Sequence, residues 1–193
     1  MKKNVAILIF DDVEVLDFAG PFEVFAVADE LHGHTEFHTF TLGLKPGTIR
    51  ARNGLKVVAE FTLENCPPPH VIVVPGGAGR RALMQMPALH EWLRRKSRTA
   101  EIVMSVCTGA FVLARAGLLD GLRVTTHHEA IAELREFAPQ LEVVDNERFI
   151  DHGQLLTAAG ISAGIDCALH VVDRLLGDTA AERTAAYMEY RRA

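Results

Sequence analysis

The sequence predicts an α/β protein in which a mostly parallel sheet is sandwiched between helical layers. Three observations carry this. Residues 5–10 (VAILIF), 71–74 (VIVV) and 102–106 (IVMSV) are short, nearly unbroken apolar runs, as expected of strands covered on both faces. The intervening stretches have crossover length and helical three- and four-residue spacing. At 193 residues, 49% hydrophobic and 23% charged, the chain can bury one large core, which excludes a disordered or fibrous protein. Residues 1–193 therefore read as one domain, with the three runs as adjacent central strands.

The elements follow in order. Residues 15–31 read as a helix, with Leu16, Ala19, Phe22 and Ala26 recurring at helical spacing. Pro21 lies inside it and removes the donor for the Asp17 carbonyl, which predicts a break or kink. Residues 36–42 form a strand, and residues 48–52 and 55–59 flank Asn53-Gly54, a strong hairpin signal. The stiff loop Cys66-Pro67-Pro68-Pro69 leads into residues 71–74, which end in Pro75-Gly76-Gly77-Ala78-Gly79. Residues 87–96 begin with proline and read as a helix; residues 101–106 are a core strand, and 108–116 a short helix closed by Gly117. Residues 122–125 and 141–144 read as strands around a helix at 128–137. Residues 149–151 and 155–158 pair across His152-Gly153-Gln154, and helices at 161–176 and 179–190 complete the chain.

Twenty Lys and Arg against 25 Asp and Glu give a formal charge of −5, with no electrostatic footprint for nucleic acid. The basic run Arg94-Arg95-Lys96-Ser97-Arg98 suits a solvated helix end. No apolar run is long enough to span a membrane, and the first one is too short for a secretory core. Cys66, Cys107 and Cys167 are odd in number and lack zinc-pair spacing, which fits a reduced, cytoplasmic chain. His32, His34 and His38 are scattered in a loop-like region, so neither metal nor cofactor is expected.

Chemistry concentrates at strand ends. In Ser105-Val106-Cys107-Thr108-Gly109-Ala110 a buried strand meets a thiol and a helix begins at once, the logic of a nucleophile elbow. Such a sulfur emerges at the carboxyl edge of the sheet, where the next helix's free amides stabilise a thiolate. Cys107 should then hold a strained or left-handed backbone, its sulfur partly accessible and nearer Gly76-Gly77 than either other thiol; a plain buried cysteine is the alternative. Gly76 and Gly77 suit converging backbone amides or a simple tight turn. Asp17, flanked by Leu16 and Phe18, suits either a desolvated proton-transfer group or a helix cap. His127 and His128 follow a strand as a possible base, pocket wall or helix start.

These strings together resemble the DJ-1/PfpI superfamily, within the class I glutamine amidotransferase-like, flavodoxin-type fold. They are most similar to the branch that contains isonitrile hydratase. The resemblance rests on Leu16-Asp17-Phe18-Ala19-Gly20-Pro21, Val74-Pro75-Gly76-Gly77, the Cys107 elbow, Thr125-Thr126-His127, and Ala159-Gly160-Ile161-Ser162-Ala163-Gly164-Ile165-Asp166. It implies a three-layer α/β/α sandwich, with Cys107 as nucleophile, Asp17 as its carboxylate partner, and Thr108 and Gly77 as backbone donors. Gly76, His127 and His128 would contact a small-molecule substrate. Thr108 stands where protease-like members place histidine, which argues against an adjacent Cys-His pair. His128 stands where hydratase-like sequences commonly carry tryptophan, making a more polar pocket.

The implied activity is hydration of an organic isocyanide to an N-substituted formamide through a cysteine thioimidate. Alternatives are a cofactor-free glyoxalase, a small-molecule amide hydrolase, or a non-enzymatic redox sensor or ligand-binding protein. A homodimer is expected, with Phe18 and Phe22 near its contact.

Overall fold

In the computed structural model, which describes residues 1–192, the apolar runs form the centre of the sheet. The strands are β1 (Lys3–Ile9), β2 (Phe37–Gly43), β3 (Thr48–Arg50), β4 (Lys56–Val58), β5 (Phe61–Thr62), β6 (Val71–Val74), β7 (Ile102–Val106), β8 (Arg123–Val124), β9 (Glu142–Val143), β10 (Phe149–His152) and β11 (Leu155–Ala158). The α-helices are α1 (Val15–Leu31), α2 (Arg80–Leu83), α3 (Pro87–Ser97), α4 (Gly109–Arg115), α5 (Ile131–Phe137), α6 (Ala163–Leu176) and α7 (Asp178–Tyr187). Single 3-10 turns occupy Arg52–Gly54 and His128–Ala130.

Seven strands form the main sheet in the order β10-β11-β7-β6-β1-β2-β5. All pairs are parallel except β10 with β11. The three apolar runs are thus adjacent and internal, and every residue of β6 and β7 is buried. Helices flank this mixed, mostly parallel sheet: α1, α6 and α7 pack together, as do α2, α3 and α4. The architecture is that of an α/β sandwich.

Several expectations change. Helix α1 runs unbroken through Pro21. The proline removes one backbone donor, but α1 packs on α6, α7 and β2, and Phe18, Pro21, Val24 and Phe25 are buried in that contact zone. Tertiary burial outweighs one lost helical bond. The strands expected at 122–125 and 141–144 shrink to two residues each and pair only with each other, outside the main sheet. The helix expected from residue 128 starts with a 3-10 turn, and α6 starts at Ala163 because Ile161 adopts a left-handed backbone, φ 49°. Asn53, at φ 62°, turns the β3–β4 hairpin as its sequence predicts.

The topology brings four chain segments to one edge. The carboxyl ends of β1, β6, β7 and β11 lead respectively into Asp11–Val13, Gly76-Gly77, Cys107 and Ala159–Ile161. Open α/β sheets place ligands at this edge.

Candidate active site

Cys107 sits between β7 and α4 with φ 56°, a conformation rare for a residue with a side chain. Its surroundings impose it. The Cys107 N–H donates to the carbonyls of Ala159 at 2.8 Å and Ala158 at 3.2 Å. Its own carbonyl accepts from the buried Thr126 hydroxyl at 2.8 Å. The residue is 6% exposed, and that surface faces a cavity of about 420 Å³. The backbone amides of Thr108 and Ile161 interact with the sulfur and favour its thiolate. Burial opposes them, and with the nearby Asp17 carboxylate it pushes the thiol up to about 12.

Asp17 lies in the first turn of α1 and is fully buried. It does not cap its own helix. Its Oδ2 instead accepts from the Gly76 N–H at 2.9 Å, bridging α1 to the glycine turn. Its Oδ1 has no hydrogen-bond partner among the described residues, so this oxygen can carry a proton. Burial raises its pKa to about 7, against the lowering effect of the Gly76 bond; Glu14 adds like-charge repulsion. The Cys107 thiol interacts with the same carboxyl. Carboxyl and thiol are therefore coupled: burial raises both, and ionising one makes the other harder to ionise.

The glycine turn works differently from its expected role. The Gly77 N–H donates to Thr108 Oγ1 at 3.0 Å, so it fixes Thr108 rather than meeting the sulfur. Gly77 is needed for shape: its φ is 124°, and a Cβ there would lie 2.4 Å from the Asp12 carbonyl oxygen. The donor role falls instead to Ile161, which sequence reasoning passed over. A β-branched residue at positive φ leaves no signal in a one-dimensional string.

His127 lines the cavity, whereas Gly76 and His128 do not. His128 lies outside, its ring 4.3 Å from that of His127. The more polar pocket expected from His128 is therefore not built by that side chain directly. His127 Nδ1 accepts from the Glu129 N–H at 3.3 Å, and burial and His128 hold its pKa below the usual value. A Cβ on Gly160 would fall 2.3 Å from the His127 ring, so the glycine lets the imidazole close over the turn. The rest of the wall mixes Ala78, Ala130 and Ile161 with charged groups, two pairs of which meet. Arg52 meets Glu14 at 2.8 Å, and Arg80 meets Glu133 at 2.6 Å while lying 4.1 Å over the Phe111 ring centre. None of these four charges stood out in the sequence, where loop and helix charges look alike.

A thiol at a left-handed strand–helix elbow, facing a buried carboxyl at the carboxyl edge of a parallel sheet, defines a class of cysteine-elbow α/β proteins. Residues 3–174 match the model of the DJ-1/PfpI family, and the chain belongs to it. Among curated relatives, it is 36% identical to isonitrile hydratase from Pseudomonas putida over 98% of this chain and 79% of that protein. It is 34% identical to the HTH-type transcriptional regulator CdhR of Pseudomonas aeruginosa, covering 92% of this chain but about half, 52%, of the regulator. Among solved structures, a ThiJ/PfpI family protein from Pseudomonas syringae superposes with a TM-score of 0.88 at 25% identity, covering 100% of this chain and 77% of that one. Drosophila melanogaster DJ-1beta gives a TM-score of 0.84 at 19% identity, covering 99% of this chain and all of that one, a likeness of fold.

Proposed function

We propose that this protein is an isonitrile hydratase-like enzyme that adds water to a small organic isocyanide, giving an N-substituted formamide. The observation that carries the reading is the Cys107–Asp17 pair: a thiol at a left-handed elbow and a buried carboxyl that interacts with it, beside a small cavity. The similarity to isonitrile hydratase along almost the whole chain supports the choice of reaction.

In the proposed cycle the electrons and protons balance around one proton shared by this pair. In the reactive form the proton sits on Asp17 and the sulfur is a thiolate held by the Thr108 and Ile161 amides. The sulfur adds to the terminal isonitrile carbon while Asp17 gives its proton to that carbon, forming an S-linked thioimidate. Asp17, now a carboxylate, draws a proton from water as the water oxygen bonds to the same carbon, and passes it to nitrogen. The tetrahedral intermediate then gives its hydroxyl proton to Asp17, the carbon–sulfur bond breaks, and formamide leaves with thiolate and acid restored. Cysteine suits both halves because its thiolate attacks well and departs well. His127, with Nδ1 engaged, keeps its proton on Nε2 and serves as a cavity wall. The substrate is a small molecule, with no cofactor invoked, and the enzyme works in the cytoplasm as a symmetric homodimer. Phe18 is already buried within its own chain, so the dimer contact would use neighbouring exposed surface such as Leu16.

The test incubates the purified protein separately with n-butyl isocyanide and with methylglyoxal. N-butylformamide formed in proportion to enzyme supports the hydratase. Lactate from methylglyoxal without formamide would instead favour a cofactor-free glyoxalase, and silence on both a ligand-binding or redox-sensing role.

A further inference from the structure

The turn that presents the Ile161 amide to Cys107 is held from one side by a residue that does not itself line the cavity. Arg148 precedes β10. Its carbonyl accepts the Ala159 N–H at 2.9 Å, and its guanidinium reaches Ser162 Oγ at 3.4 Å. The same guanidinium holds Asp166 in the first turn of α6, through Nε at 2.9 Å and through a second, closer Nη2 contact to the same oxygen. Arg148 thus touches residues on both sides of Ile161, before and after the left-handed position. The Asp166 side chain is 3% exposed, and its other oxygen accepts from the Tyr190 hydroxyl at 3.1 Å, beyond the end of α7.

The geometry of the turn needs such a clamp. Ile161 is β-branched at φ 49°, a strained state that persists only where its surroundings over-determine it. No side chain caps the start of α6 at Ser162; the Ala163 and Gly164 N–H groups donate to the Gly160 and Ile161 carbonyls at 3.1 Å each, and Arg148 adds a side-chain brace to these backbone bonds. The carbonyl of Ala159, two residues before Ile161, also anchors the Cys107 N–H. One segment therefore sets both the elbow's backbone and the sulfur's second amide donor.

We propose that Arg148, braced by Asp166 and Tyr190, is a positioning residue that holds the Ile161 amide against the Cys107 sulfur and so sets the reactivity of the thiol. The proposal rests on the reading of Cys107 as the reactive group, but not on the identity of the substrate. The charged group that faces the sulfur is Asp17, which Arg148 does not touch.

Alkylation by iodoacetamide tests it, followed by mass spectrometry of the Cys107 peptide so that Cys66 does not contribute. Losing a backbone donor to a thiolate shifts its ionisation by about one unit, so R148M should slow Cys107 alkylation about tenfold at about pH 8. Y190F, which removes the outer brace, should slow it by about two- to threefold, and R148K should recover part of the loss. A merely structural arginine gives the opposite sign, because loosening a buried site exposes its thiol and speeds alkylation. Should R148M fail to fold, Y190F and R148K decide alone. Alkylation unchanged or faster in the folded variants overturns the proposal. Because the readout is alkylation, a protein inert towards n-butyl isocyanide leaves this test intact.

Discussion

Replacing Asp17 by asparagine keeps the side chain's shape and its bond from the Gly76 N–H but removes the ionisable proton. In the folded chain burial raises the Asp17 pKa to about 7, whereas in an unfolded chain it reverts to about 3.9. Between those values the folded state holds a proton that the unfolded state has released, so stability falls as pH rises through the window and levels off above about 7. Three units correspond to about 4 kcal/mol. Asparagine carries no such burden. The stability of D17N relative to wild type should therefore improve by about 4 kcal/mol between about pH 4 and about pH 8. Urea unfolding of both proteins at the two pH values measures it, and the common contributions of other groups cancel in the difference. Turnover should move the other way, falling about 10²–10⁴-fold, because the shared proton has lost its carrier. A relative change below about 1 kcal/mol would mean that Asp17 ionises like an exposed carboxylate, and the shared-proton mechanism would lose its basis.

Two further predictions concern the walls of the site. G77A forces a side chain onto a φ of 124° and against the Asp12 carbonyl, so it should cost about 2–4 kcal/mol, read as a lowered urea midpoint; a midpoint within error of wild type would contradict the close approach. His127 should titrate below its usual 6.5, followed by the ring proton shifts in NMR, because burial and His128 both disfavour its charged form; a midpoint above that value would show that Glu14 and Glu129 dominate instead.

The sheet was legible because its central strands carry the least ambiguous pattern a sequence offers. Residues 71–74 and 102–106 are apolar or small at every position and lie in adjacent buried strands. The elbow was legible for a related reason: a thiol between such a strand and a helix has few other places to go. What escaped depends on packing across the chain. Pro21 signals a break locally, and only the burial of α1 against α6 and α7 overrides it. The amides of Gly76 and Gly77 suited either an anion site or a tight turn, and only packing shows that Asp17 and Thr108 occupy them. Ile161 became a sulfur donor through a left-handed turn that no residue type announces, and Arg148 finds its partners from outside the motif.

The central claim is that the Cys107 sulfur bonds to the isonitrile carbon, and intact-protein mass spectrometry tests it most directly. Wild type, C107A and D17N would each be mixed with n-butyl isocyanide, quenched in acid and weighed, with formamide measured in parallel. A single adduct of one isocyanide is expected on Cys107 of the wild type, with none on C107A and no formamide from it. Formamide produced by C107A at the wild-type rate, while D17N is inactive, would contradict the claim and assign Asp17 to direct activation of water.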